Sequence, residues 1–159
     1  MSGIKVTGDW TRLKDNLHRL VGMNFRAIHK DVGEHLVDST RERFKTETAP
    51  DGTRWPQSIR AKNEGGQTLT DSAIMKNSVT YSARPDRVEV GTNDKRAGTH
   101  QFGLTIRPKN SKYLQFKIGK RWIRKKEVII PKREFIGINE EDQEAIHDIL
   151  KDHIEERLK

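Results

Sequence analysis

No uninterrupted apolar run in this sequence exceeds three residues, and Val128-Ile129-Ile130 is one of them. A bilayer-spanning helix needs about 20 apolar residues, so no membrane span is expected, and any core must be assembled from amphipathic elements. Apolar residues make up 32% of the chain, and the 12 glycines raise that to about 40%, below the usual ~45–50%. A chain of 159 residues with this polarity reads as one domain, 1–159, that either folds around a thin core or completes its burial against partners. Cysteine is absent, which rules out disulfides and thiolate metal sites. The opening MSGIKVTGDW has no apolar secretory segment. The reading is a soluble chain of cytoplasmic type.

Charge is segregated along the chain. The formal net charge is +8, yet Arg107 to Arg133 holds eleven Lys and Arg against one acid, Glu127. The rest carries 20 basic and 22 acidic residues, and from Glu140 to Lys159 eight acids face three bases. Such a division predicts a charged arm and a complementary surface.

Apolar periodicity places the elements. Trp10, Leu13, Leu17, Leu20 and Val21 recur at helical spacing behind Asp9 as N-cap. Phe25, Ile28, Val32, Leu36 and Phe44 continue it, giving one or two helices over 9–45 with any bend near Gly22. TETAPDGTRWPQ, 46–57, is turn chemistry in which Pro50 sets φ and Asp51-Gly52 reverses the chain. NEGGQTLTDS, 63–72, reads as a flexible loop. Val79, Tyr81 and Ala83, then Val88 and Val90, alternate about Arg84-Pro85-Asp86 and predict a hairpin. Tyr113, Leu114, Phe116, Ile118, Trp122 and Ile123 predict a second one pivoting near Gly119 and decorated by cations. Asn139 caps a final helix over 139–158, with Ile146, Ile149, Leu150, Ile154 and Leu158 as its stripe. The order predicts an α+β fold: N-terminal helices, a β-rich centre over 76–138 with antiparallel hairpins, and a C-terminal helix packed on the sheet.

Catalytic patterns fail one by one. His29/His35 and His147/His153 are each six residues apart and face different sides of a helix. No HExxH appears, and no metal or other cofactor is called for. A nuclease pattern could begin at Asp86 and Glu89, but Val90-Gly91 stands where a catalytic lysine is needed. His100 is read as bonding a turn in preference to transferring protons. Trp55 is read as a core anchor in preference to a ligand platform.

The segment 107–133 is the exception. Its cations are Arg107, Lys109, Lys112, Lys117, Lys120, Arg121, Arg124, Lys125, Lys126, Lys132 and Arg133, interleaved with aromatic residues. Eleven in 27 residues exceed an ordinary solvated face, leaving protein docking and nucleic-acid contact both open. Their mutual repulsion predicts poor order over 108–127.

RF at 43–44, PDGTRWPQ at 50–57, LTDSAIMKNSV at 69–79, VEVGT at 88–92, HQFG at 100–103 and IPKREFIGI at 130–138 together resemble the phage virion morphogenesis family, also called tail completion proteins. The resemblance covers about residues 40–150 and marks Asp51, Gly52, Trp55, Gly91, His100, Gln101, Gly103, Pro131, Phe135 and Gly137 as structural. It implies that Pro131 sets the direction of the last connection, Phe135 anchors it and Gly137 allows a close turn before Asn139. Departures are Ala73 where the family usually has Gly, Glu134 where it often has Pro, and RAGTHQFG without the usual Tyr-Ala. The resemblance further implies a non-enzymatic virion protein at the head-proximal end of a tail. Its partners would be itself, as a ring of six by analogy with a six-fold tail, with the tail tube and neck or connector proteins. A head-side connector and a DNA-contacting arm are the alternatives.

Overall fold

The computed structural model describes residues 11–118 and 120–159, with side chains from residue 15 onward. The cap at Asp9, the apolar positions Trp10 and Leu13 and the hairpin pivot Gly119 therefore lie outside what is described at side-chain level. Two helices open the described chain, α1 at Thr11–Leu20 and α2 at Phe25–Thr46. The break falls at Gly22, whose φ is 90°. Asn24 then caps α2 by accepting from the Ala27 N–H at 3.2 Å. Glu47 closes it in the left-handed region, with its N–H returned to the Arg43 carbonyl.

Three short helices have too few turns to show an apolar period: α3 at Ile59–Glu64, α4 at Ile74–Asn77 and α5 at Ala97–Phe102. The 63–72 loop is pinned, contrary to the expectation of flexibility. Thr68 is fully buried and its N–H bonds the Glu47 carboxylate, while Arg60 donates to the Gln67 carbonyl at 2.7 Å. Ala73 takes φ 53°, a backbone a glycine would adopt without strain.

The strands form three antiparallel two-stranded ladders, so among the described residues no single central sheet joins them. β1 at Val79–Ala83 pairs with β2 at Val88–Thr92, from Val79↔Thr92 to Ala83↔Val88. β3 at Leu104–Ile106 pairs with β6 at Val128–Ile130, and β4 at Leu114–Ile118 with β5 at Arg121–Lys125. Charged strand edges resist further pairing, and the cations of β4 and β5 occupy such edges. The segment 108–127 expected to lack order thus contains a paired ribbon.

α2 organises the core. Phe44 and Phe135 are both fully buried with ring centroids 5.1 Å apart, and Trp55 meets Phe44 edge-on at 5.5 Å. Val37, Met75, Val79 and Ala97 complete that cluster. The first hairpin lies on α2 because Gly33 has no side chain: a Cβ there would stand 2.4 Å from Tyr81 Cδ2. A second cluster of Ile28, Val32 and Leu36 collects Val88 and Val90 from β2 with Ile146 and Ile149 from α6. α6 runs Glu140–Leu158 behind a capping box between Asn139 and Asp142. It packs along α2 and α1, reaching the hairpin through the shared cluster. Its apolar stripe is only half covered, and Leu150 is exposed. No helix among the described residues is long and apolar enough to cross a membrane.

Candidate docking surface

Between Gly103 and Pro131 two ladders nest in one ribbon. The β3–β6 ladder is its root and the β4–β5 ladder its outer part. Residues 107–113 and 126–127 lie between the two, where Arg107 bridges to Glu127 at 3.0 Å. β4 and β5 pack chiefly on each other. A two-stranded ribbon is marginal by itself, so its aim depends on how the root is held.

The root is held from within the core. The Gln101 amide serves the segment 135–136 as a neighbouring strand would: its Oε1 accepts from the N–H groups of Phe135 and Ile136, both at 3.1 Å. Its Nε2 donates to the Ile136 carbonyl at 2.7 Å. Trp55 Nε1 donates to the Glu134 carbonyl at 2.9 Å, and Arg43 donates to those of Phe135 and Gly137 at 3.2 and 2.9 Å. Every one of these bonds satisfies backbone that has no ladder partner of its own. The half-buried Pro131 leads from β6 into this segment.

Gly137 works differently from the turn expected of it. Its φ is not positive; instead Pro50 packs so closely that a Cβ would lie 2.5 Å from Pro50 Cγ. Gly103 combines φ 73° with the Lys132 N–H 3.0 Å from where a Cβ would sit. Gly52 has φ 80°, and Asp51 beside it accepts from the Thr53 N–H at 2.9 Å, which holds the exposed Asp51 carboxyl below its ordinary value. Gly91 shows neither a positive φ nor a close neighbour, and nothing in the structure explains it.

His100 departs from its expected role. It is the backbone that bonds, accepting from the Arg133 N–H at 2.7 Å, while ring Nδ1 is buried with no hydrogen-bond partner. Burial first, then the Arg133 and Arg96 guanidinium groups, push its pKa down and favour the neutral ring. Nearby, hydrogen bonds from Arg96 lower the Asp94 carboxyl to about 2.

The eleven cations divide. Arg133 is 5% exposed and donates from Nε to the Pro56 carbonyl at 2.6 Å, so it belongs to the core and cannot dock a partner. Arg107 is paired with Glu127 and Lys132 with Glu134, the latter at 2.6 Å. Lys112 lies 5.8 Å from the Tyr113 ring centroid. With its amide oxygen turned to Arg124, Gln115 accepts from that guanidinium at 2.7 and 3.0 Å. Lys109, Lys117, Lys120, Arg121, Lys125 and Lys126 are exposed, and no carboxylate pairs with them among the described residues. Cross-strand register puts Gln115, Lys117, Trp122 and Arg124 on one face of the ribbon. Trp122 is 73% exposed there.

One linchpin was not singled out from the sequence. Arg43 and Asp142 are both buried and paired, and Asp142 also accepts from the Asn139 N–H at 3.1 Å and meets His35 Nε2 at 3.1 Å. Burial alone would raise the Asp142 carboxyl; hydrogen bonds involving Ser39 and Asn139, with the Arg43 charge, outweigh it and leave the group below its ordinary value. The signal was present, since Arg43 continues the buried face of Leu36 and Thr40 on α2. Near the start of α6, a cleft of about 590 Å³ is lined by Pro50, Asp51, Glu134, Ile138, Glu140 and Glu141 among others. Among the described residues no three His, Asp or Glu side chains gather at metal-binding distance. The arrangement is equipped for electrostatic and apolar recognition.

Among known protein families, the phage virion morphogenesis family matches residues 8–155. No curated protein and no solved structure matches the chain.

Proposed function

The chain belongs to the phage virion morphogenesis family, and from that premise we propose that it is a non-enzymatic subunit that completes the tail at its head-proximal end and takes part in joining head to tail. It acts in the virion, and in the host cytoplasm during assembly, as a ring of six copies templated by the tail. The tail tube and the neck or connector proteins are its neighbours. The observation that carries this reading is the ribbon itself, whose outer cations from Lys117 to Lys126 have no carboxylate partner among the described residues, set on a root bonded from the core. Complementary charge acts mainly on encounter rate and register between partners, which is what a late joining step requires. A half-covered α6 stripe and exposed apolar residues on the ribbon suit a subunit that buries more surface on assembly.

Electron microscopy of particles made without this protein tests the proposal. Full heads and finished-length or overlong tails should accumulate unjoined; normal joined particles would refute it. Accumulation of heads with defective necks on intact, capped tails would place the protein on the head side.

A second reading draws on Trp122, whose exposed ring shares a face with Lys117 and Arg124 as a base-stacking platform would. It requires DNA affinity that falls by orders of magnitude between low and moderate salt. Titration of duplex and single-stranded DNA at two salt concentrations separates the readings.

A further inference from the structure

We infer that the partner of the basic ribbon is a second copy of this chain, which receives it along the acidic side of α6. The inference rests on the ring reading above and names the two surfaces by which one copy holds the next. The donor surface is the face of the outer ribbon on which Lys117 and Arg124 stand exposed beside Trp122, with no carboxylate pairing with them among the described residues. Apolar area is added by Ile129 in the ribbon's root, 68% exposed, and by Phe102 at the end of α5 beside it, 76% exposed.

The receiving surface follows from helical spacing. Glu140, Glu144, Asp148 and Asp152 recur every four residues and are all exposed. Like charges at that spacing destabilise a helix. α6 spends its ion pairs elsewhere: Asp142 on Arg43 and His35, His153 on Asp31, and Lys151 on Glu155. The four acids therefore form a ridge that no cation pairs with among the described residues. A basic neighbour would relieve it.

The dimensions agree. From Glu140 to Asp152 the ridge is about 18 Å long at ~1.5 Å per residue. From Arg121 to Lys126 the ribbon extends about 17 Å at ~3.4 Å per residue. At the ridge's start, the cleft with Pro50 and the exposed Ile138 on its wall offers an apolar seat inside an acidic rim, the setting an interfacial tryptophan favours. Within one chain, β4 and β5 pack on each other while α6 packs on α2 and α1. A contact between two different patches is head-to-tail, and repeated with a closing rotation it generates a ring.

Charge swapping tests this. One variant carries Lys117→Glu with Arg124→Glu on the ribbon; another carries Glu144→Lys with Asp148→Lys on α6, beyond the helix's first turn. Circular dichroism and thermal melts verify that both fold. Sedimentation at low salt, with carbodiimide cross-linking and mass spectrometry, reads self-association. Each variant alone should associate at least about tenfold more weakly than the parent. Their mixture should recover association, because every ribbon then meets a helix of opposite charge in an alternating ring. Trp122→Ala should weaken the parent contact as well.

Unchanged association in both variants would overturn the inference. So would a parent that stays monomeric and yields no cross-link between a ribbon lysine and an α6 acid of another copy. DNA binding by the parent that is lost only in the ribbon variant, without self-association, would overturn it and assign the ribbon to nucleic acid. Variants that fail to associate yet still support infectious particles would overturn this contact and leave the tail-completion reading standing. Swap-restored association in a chain whose removal leaves particles joined would uphold the contact and sink that reading.

Discussion

Replacing Arg43 by Met keeps the length and apolar stem of the side chain while deleting its guanidinium. The structure sets the cost. Arg43 is 5% exposed, pairs with Asp142 (itself 1% exposed), and donates to the carbonyls of Phe135 and Gly137 and to Ser39 Oγ. Removing one partner of a buried pair leaves an uncompensated charge and costs about 3–5 kcal/mol. For a chain of this length a kcal/mol corresponds to about 2–4 °C, so Tm at pH 7 should fall by roughly 6–20 °C. Linkage gives the reasoning a second, independent signature. In the parent the Asp142 pKa lies below its ordinary value of 3.8, so its stabilisation is present above that value and lost as pH falls through the lower folded value. Without Arg43 the Asp142 carboxyl loses the charge and the hydrogen bond that help to lower it, so its pKa rises relative to the parent and the variant loses less stability than the parent as the carboxyl protonates. The stability gap between parent and variant should therefore narrow as pH falls from 7 through the carboxylate range. Denaturant unfolding followed by circular dichroism at several pH values measures it. A gap under about 1 kcal/mol at pH 7, or one that does not change with pH, would refute the assignment of Arg43 and Asp142 as the clamp.

Phe135→Ala should destabilise the subunit by about 3–5 kcal/mol, since the ring is fully buried against Phe44; thermal or denaturant melts check it. Lys125→Ala with Lys126→Ala should leave the melt unchanged, because solvated cations contribute about 0–1 kcal/mol. The same pair should weaken an in vitro head–tail joining assay. Limited trypsin digestion should cut first within 109–126, where exposed Lys and Arg lie on a ribbon that packs chiefly on itself; first cuts within α2 would contradict this. Gln101→Ala strips three hydrogen bonds from the segment 135–136 and should cost about 1–3 kcal/mol in unfolding experiments.

The elements most legible in the sequence are those whose burial is periodic. α2, the first hairpin and α6 follow from apolar spacing, and Asn139 caps as its position predicts. α3, α4 and α5 are four to six residues long and were invisible to periodicity; their caps or turns, such as Ser58 and the left-handed Ala73, were the local signals. The split of the strands into three ladders depends on tertiary position, which alternation does not encode. Gly137 was legible as a required glycine, but its cause is the approach of Pro50 from 87 residues earlier in the chain. Long-range steric reasons of that kind leave no local trace.

Lys132 and Arg133 show why charge counting reached the ribbon and overshot at its base. The two are adjacent and of one charge, and successive side chains of an extended segment point to opposite sides. Lys132 goes to solvent and Glu134, whereas Arg133 turns inward to the Pro56 carbonyl. A guanidinium tolerates that burial when its donors are satisfied, and Arg133 also fixes the backbone beside His100. The cation that looked like the last of the docking set is thus part of what aims the ribbon. Its neighbours from Lys117 to Lys126 lie beyond the reach of such bonds and stay exposed. The boundary between structural and recognition charge falls where the chain leaves the core, between Pro131 and Arg133, and it is set by packing from α5 and the Trp55 turn, two elements distant in sequence from the charges they sort.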